Sequence, residues 1–348
     1  MKALLALGTL ALAAAPLAAQ SYSLSGDRVA IYNIAGAVTV TGGGSGAVKV
    51  QVDLQGGDAR QLKVATGPIR GAETLRILYP DDDIIYSALG RGSNTQMQIR
   101  EDGTWGNFGR EKWSNREERH RVTIKGSGRG VEAYANLSVT IPAGKTVGIF
   151  TGVGRVDVTN VDGELMVDVG SAEITARNTR GSLNLDTGSG DIRVDNAEGE
   201  INLDTGSGKV TLNGSKGGKL SIDTGSGDVI ISDATATSTE IDTGSGEIRI
   251  DGISTGKLSL DTGSGDVRAT LVSAPDDIDI DTGSGSVTLR LPSDVSAMVD
   301  LDTGSGDFTV ELPLTVTHKE ESNLRGKLGS GRGRINIETG SGDIRLLK

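Results

Sequence analysis

Asp186-Thr187-Gly188-Ser189-Gly190-Asp191-Ile192-Arg193-Val194-Asp195-Asn196-Ala197-Glu198-Gly199-Glu200-Ile201-Asn202-Leu203 runs directly into Asp204-Thr205-Gly206-Ser207-Gly208. The pentapeptide Asp-Thr-Gly-Ser-Gly has returned after 18 residues. It begins again at Asp223, Asp242, Asp261, Asp281 and Asp302, and a variant begins at Glu338. Two degenerate copies precede the series, Phe150-Thr151-Gly152-Val153-Gly154 and Asp168-Val169-Gly170-Ser171. A period near 19 signals a solenoid. Within each unit, apolar and polar residues alternate with period two, which is the pattern of strands with one buried face. Leu185, Leu203, Ile222, Ile241, Leu260, Ile280, Leu301 and Ile337 precede the acid of each copy; Ile192, Val210, Val229, Ile248, Val267, Val287, Phe308 and Ile344 follow it by six. No 3.6-residue period appears, so a leucine-rich repeat with a helical half is excluded. The sequence predicts an all-β parallel solenoid, or β-helix, with rungs of roughly 18–20 residues stacked about 4.8 Å apart. Ten registers give a rod on the order of 50 Å long.

Prolines fall in the lengthened units: Pro275, Pro292 and Pro313. Proline cannot donate to a ladder, so these positions mark loops. The 36-residue step from Asp302 to Glu338 reads as two units, the first irregular around His318-Lys319-Glu320-Glu321. Upstream, residues 21–150 show alternation without the exact repeat, in Val29 to Ile34, Ala47 to Leu54 and Leu137 to Ile141. Residues 87–121 break the pattern and read as a long loop inserted between strands. The regular repeat, 151–348, is expected to continue from this N-terminal region.

Composition narrows the function classes. The chain has 348 residues, 52 of them Gly, no Cys, two His and a formal charge of −11. Disulfides, Cys-ligated zinc and thiol nucleophiles are ruled out. The acidic balance argues against a nucleic-acid partner, because phosphate contacts need positive surface. Lys2, the apolar run Ala3 to Ala15 and the small residues around Ala18-Ala19 read as a signal peptide over residues 1–20. No later segment reaches transmembrane length, and Arg345-Leu346-Leu347-Lys348 offers no hydrophobic anchor. These features lead us to expect an exported protein, periplasmic or at the cell surface.

Taken together, the Thr-Gly-Ser-Gly-Asp units and the strand ends Ile141-Pro142 and Leu291-Pro292 resemble the bacterial putative-adhesin family, also called the toast-rack domain, over residues 25–348. The resemblance implies an exported β-solenoid, often linked to the cell envelope, and brings no catalytic residues. It makes an adhesin-like or envelope-associated scaffold the leading functional expectation, with a cell-surface or envelope glycan or protein as partner and no cofactor.

Three features compete as sites. Asp186, Asp204, Asp223, Asp242, Asp261, Asp281 and Asp302 should align in one column. Five positions later comes a second, mostly acidic column: Asp191, Lys209, Asp228, Glu247, Asp266, Ser286, Asp307 and Asp343. Clustered carboxylates suit calcium, but each Asp could instead cap its own turn by accepting backbone N–H groups. The nine-residue period of calcium-binding repeats is absent. The threonine after each acid shares parity with the buried residue two before it, so its hydroxyl should turn inward to the corner rather than form an ice-binding row. The second feature is an aromatic-basic group: Trp105, Phe108 and Trp113 with Arg116 and Arg119. Such rings stack on sugars, and arginine pairs with acidic groups. Third, Arg193, Arg249, Arg268 and Arg345 stand beside acids, as in polysaccharide-cleaving β-helices, although cross-rung ion pairing accounts for them equally well. His120 and His318 have no triad context. End rungs of such a rod could also stack on another chain.

Overall fold

The computed structural model describes residues 19–108 and 118–348. Residues 1–18 of the expected leader, and 109–117, which include Trp113 and Arg116, lie outside the described residues. The chain is an all-β solenoid of parallel rungs. Lys145–Thr159 pairs in parallel with Asp162–Thr187, which pairs with Ile192–Thr205. Parallel pairing continues through Val210–Thr224, Val229–Thr243 and Ile248–Thr262. Each unit has two faces: one strand half precedes the Gly-Ser-Gly corner and one follows it. The inward residues of both halves form ladders. Leu185, Leu203, Ile222, Ile241 and Leu260 are at most 1% exposed. Burying each such side chain contributes about 1.5–3 kcal/mol.

The two corners are built differently. At the second corner, Asn160, Asn178, Asn196, Gly214, Asp233 and Gly252 all take positive φ, between 53° and 87°. The register stacks them as one column. Asn and Asp tolerate this left-handed region better than other residues carrying a Cβ. Their amides add a ladder of their own, with Asn196 Nδ2 donating to Asn178 Oδ1 and Asn178 Nδ2 to Asn160 Oδ1, at 3.3 and 3.1 Å. The Gly-Ser-Gly corners do not use positive φ. Their glycines answer to close stacking: a Cβ on Gly208 would lie 1.8 Å from the carbonyl oxygen of Gly190, and one on Gly206 would lie 2.4 Å from that of Gly188.

The N-terminal region caps the rod. Arg28–Gly42 forms the first rung, parallel to Lys145–Thr159. On one face the sheet continues through Tyr134–Ile141, then through antiparallel Val48–Gln55 and Gln20–Leu24. On the other it continues through Ala72–Leu78 and antiparallel Lys63–Ile69. Within the stretch expected as a loop, 87–121, the described residues include strands. Asn94–Arg100 and Arg119–Lys125 pair antiparallel, and Asp83–Ile85 joins them in a separate three-stranded sheet. Ile99, Val122 and Ile124 of that sheet pack with Tyr32 and Phe150 in a second hydrophobic cluster outside the first rungs. Alternation over these strands is too short and polar to stand out in sequence.

At the C-terminal end, rung order departs from chain order. The 36-residue step is not two successive units. Asp277–Thr282 and Val287–Arg290 pair with Gly333–Thr339 and Ile344–Leu347, the last strands of the chain. Ala297–Thr303 and Phe308–Val310 stack beyond these, on their other side. The intervening Thr315–Lys319 and Asn323–Leu328 form an antiparallel hairpin whose second strand pairs antiparallel with Ala297–Thr303. On that face, therefore, both ends of the rod finish in antiparallel strands rather than bare repeat rungs.

Because Leu260 is 1% exposed in the middle of a ladder, Leu260→Asp should lower unfolding stability by several kcal/mol, on the order of a buried unpaired charge. Chemical denaturation measures this, and a wild-type midpoint would refute the ladder.

Candidate functional site

The threonine of each repeat is buried, and its hydroxyl joins two rungs. Thr243 Oγ1 accepts the amide of Gly246 in its own corner at 3.0 Å and donates to the Gly227 carbonyl of the preceding rung at 3.1 Å. Thr205, Thr224, Thr262, Thr282, Thr303 and Thr339 repeat the arrangement. The inward placement read from parity is therefore observed. Turn capping belongs to threonine, not to the first aspartate. Among the described residues, none of Asp186, Asp204, Asp223, Asp242, Asp261, Asp281 and Asp302 accepts a hydrogen bond from its own corner. The second acid column does accept backbone amides, but across rungs: Asp191 from Lys209, Asp228 from Glu247, Asp266 from Ser286 and Asp343 from Asp307, at 2.9–3.1 Å.

The first acid column runs unbroken along one face. In spatial order it is Asp168, Asp186, Asp204, Asp223, Asp242, Asp261, Asp281, Glu338 and Asp302. Burial, and then the neighbouring carboxylates, raise the pKa of Asp186, Asp223 and Asp261 above the ordinary range. Near its far end, Asp261, Asp279, Asp281, Asn336 and Glu338 line a cavity of about 200 Å³. Asn336 Nδ2 donates there to Asp279 and Glu338. No group of three or more acidic or histidine side chains among the described residues has the geometry to hold a metal ion. The column runs along the rod without closing around a point.

At its other end the column meets the aromatic group. The register continues from Asp168 to Phe150 and then to Tyr32. Tyr32 stacks on Phe150 with centroids 4.7 Å apart, and Trp105 meets Tyr32 edge-on at 5.3 Å. Trp105 is only 8% exposed, which makes it a core ring and not an open stacking platform. Phe108 is half-buried 6.0 Å from Phe150, with the Arg28 guanidinium 5.0 Å above its ring. Arg119 is exposed at the start of its strand. Asp168 is half-buried, with Gly106 and Phe150 beside its carboxylate; burial, and then Asp186, push its pKa up to about 6.

Sequence reasoning missed the cations that hold this turn. Arg100, 5% exposed, donates to Thr104 Oγ1 and to the Gly106 carbonyl. Arg76 donates to the Asp102 carbonyl, and Arg70 to Thr104 Oγ1. In sequence they are isolated charges; only the packing of the small sheet on the first rungs gathers them. Nearby, Ile34, Ile77, Tyr79, Asp82, Arg100 and His120 line a cleft of about 200 Å³, and His120 pairs with Asp82 at 3.3 Å.

The outward arginines form ion pairs. Arg193 pairs with Asp195, Arg249 with Asp251, and Arg345 with Asp343, at 2.6–2.9 Å. Arg268 contacts both Glu247 and Asp266. Exposed pairs of this kind contribute about 0–1 kcal/mol each. Arg249, Arg268 and Arg290 also border a groove of about 330 Å³ with Thr270 and Thr288.

The family model described as Toastrack DUF4097 matches residues 137–347, more than half of the chain. No curated protein matches. A crystal structure described as a putative cell adhesion protein from Clostridium sporogenes ATCC 15579 aligns over 94% of this chain and 99% of its own. Its identity is 12% and its TM-score 0.22, too low to carry an argument.

Two outcomes follow from this geometry. Thr243→Val removes a hydroxyl that serves two buried partners and should cost about 1–3 kcal/mol; denaturant unfolding measures it, and no loss would contradict the two-rung role. For Asp168 the folded pKa, about 6, exceeds the ordinary aspartate value of 3.8. The folded state therefore holds this proton more tightly, so the Asp168 contribution to stability falls as pH rises from about 3.8 to 6 and is flat above. Asp168→Asn should flatten that part of the profile and raise Tm at pH 7.5 by roughly 2–4 °C, as read by calorimetry.

Proposed function

Since the chain belongs to the Toastrack family, we propose that it is an exported, non-enzymatic, adhesin-like scaffold that holds its N-terminal module at the end of a rod and engages a cell-surface or envelope glycan or protein. One observation carries this reading. Outside the first acid column, the polar groups of the repeat are engaged within the rod: threonine hydroxyls bond to corner glycines of two rungs, second-column acids accept amides of a neighbouring rung, and arginines pair with acids on their own strand. A threonine hydroxyl that makes the same two bonds on rung after rung is suited to support rather than turnover. The non-repeating chemistry is concentrated in the N-terminal module, where Arg28 and Phe108 lie at the surface of the aromatic cluster and Arg119 begins the adjacent strand. Export rests on the leader-like residues 1–20. No helix among the described residues is long and apolar enough to cross a membrane.

Calcium stabilisation is the second reading, motivated by the continuous acid column and its raised carboxylates. The scaffold reading expects a chelator to leave Tm unmoved, whereas a calcium-dependent rise of several degrees would favour metal. A polysaccharide-cleaving activity would show as release of reducing or unsaturated ends, abolished by Asp→Asn changes in one or two rungs.

An epitope tag inserted between Gly128 and Arg129 tests location. These residues are exposed, and the site avoids the buried turn around Trp105. Labelling of intact cells is the expected result for an adhesin. Labelling only after the outer envelope is opened would assign the protein a periplasmic partner instead.

A further inference from the structure

The last rung of the chain lies between two rungs that precede it in sequence. Asp281 faces Glu338, and Glu338 faces Asp302; Val287 faces Ile344, and Ile344 faces Phe308. These registers repeat those of the neighbours placed in chain order, such as Asp261 with Asp281 and Val267 with Val287. The corner bonds are equally repetitive. Thr339 Oγ1 donates to the Gly285 carbonyl at 2.8 Å, and Thr303 Oγ1 donates to the Gly342 carbonyl at 2.9 Å. Thr303 would find the same acceptor on Gly285 if rung 297–310 lay directly on rung 277–290. Because each rung carries the same Thr-Gly-Ser-Gly corner, the corner bonds form in either order, while Arg334 with Asp277 and Asn336 with Asp279 are pairs that only the native order makes.

Connectivity permits both orders as well. Residues 291–296 link Arg290 to Ala297, a tether that reaches about 20 Å when extended. Beyond the span of the corner itself, the rise to be covered is roughly 4.8 Å for one rung or 9.6 Å for two. The hairpin of Thr315–Lys319 and Asn323–Leu328 binds the far edge of Ala297–Thr303, and that edge is free in either order. Only 333–347 distinguishes them. The crossover 329–332 wraps the start of Ala297–Thr303, where Ser296 Oγ accepts the amides of Ser330 and Arg332 at 3.0 and 3.3 Å.

We propose that rung 297–310 first stacks directly on rung 277–290, and that the native order is reached when 333–347 inserts between them. The open edge of rung 277–290 exposes unpaired ladder groups. Its first available partner is the rung that follows after a short tether, whose closure costs least. Insertion then breaks one rung interface and forms two. In a stack whose stability sums over neighbouring interfaces, that step is downhill, but it must first part a formed ladder. The C-terminal rung is thus a late, insertable strand, and the rod has a shorter state that lacks it.

Pulse-labelled hydrogen exchange during refolding of the full chain tests this without substitution. Amides in Val287–Arg290 and Phe308–Val310 should gain protection in an early phase, and those in Gly333–Thr339 and Ile344–Leu347 in a phase at least several-fold slower. The absence of native cysteine allows a second measurement. The register places Thr288 and Arg345 on adjacent rungs and Thr288 and Thr309 two rungs apart, beyond the Cα reach of a disulfide at about 7 Å. A Thr288→Cys/Thr309→Cys chain given an oxidant pulse early in refolding should crosslink at least tenfold more than the same chain in denaturant, and should resist crosslinking once native. Thr288→Cys/Arg345→Cys should crosslink in the native state. Protection of both segments in one phase overturns the proposal, as does a Thr288–Thr309 link no more frequent during refolding than in denaturant.

Discussion

Everything in the rod depends on the close approach of one Gly-Ser-Gly corner to the next. Backbones at these corners come so near that a single methyl on Gly208 would overlap the carbonyl beneath it. Within that approach, one threonine hydroxyl accepts an amide of its own corner and donates to a carbonyl of the rung before. The corner is thereby hydrogen-bonded although buried, which an irregular backbone segment must be to avoid a desolvation penalty. The strand halves are then aligned for parallel pairing, and the Leu, Ile and Val ladders follow. The repeat motif is thus a single device in which glycine gives the proximity and threonine makes the bond.

The acids stand outside this device. Their column is a consequence of stacking: identical positions in identical rungs place like charges about 4.8 Å apart, where repulsion in water is near 1 kcal/mol. The second acid column offsets part of this through charge-assisted bonds to backbone amides, and the arginines offset more through exposed pairs. Where the first column ends, Tyr32 and Phe150 take its next two positions and the three-stranded sheet closes over them. Asp168 lies at that junction and loses solvent on the aromatic side. The acid column and the aromatic group, read from sequence as separate features, meet at this residue.

Some of this was legible beforehand because it is periodic. Alternation and the 18–21-residue spacing disclose the inward ladders, and parity alone turns Thr187 and its equivalents inward. What lay hidden is not periodic. Trp105 among basic residues reads as a surface ring, yet it is buried on Tyr32 because a sheet too short to show alternation packs there. Arg100 is distant along the chain from Arg70 and Arg76 and meets them only through that packing. The aspartate next to threonine looks like the turn cap, but the threonine hydroxyl is closer to the corner amides and takes the role.

By itself, the sequence determined that the chain is a β-solenoid, where its corners lie and which residues fill its core, because a repeated local pattern imposes the same solution on every rung. The tertiary structure decided the order of the last rungs, the antiparallel caps and the merging of the acid column with the aromatic cluster. The physical reason is degeneracy. Rungs with the same corner and the same inward ladder form those two sets of contacts with any neighbour, so the repeated pattern leaves their sequence in space open. Contacts outside the shared pattern distinguish one arrangement from the rest: at the C-terminal end, Arg334 with Asp277, Asn336 with Asp279, and the 329–332 crossover at Ser296.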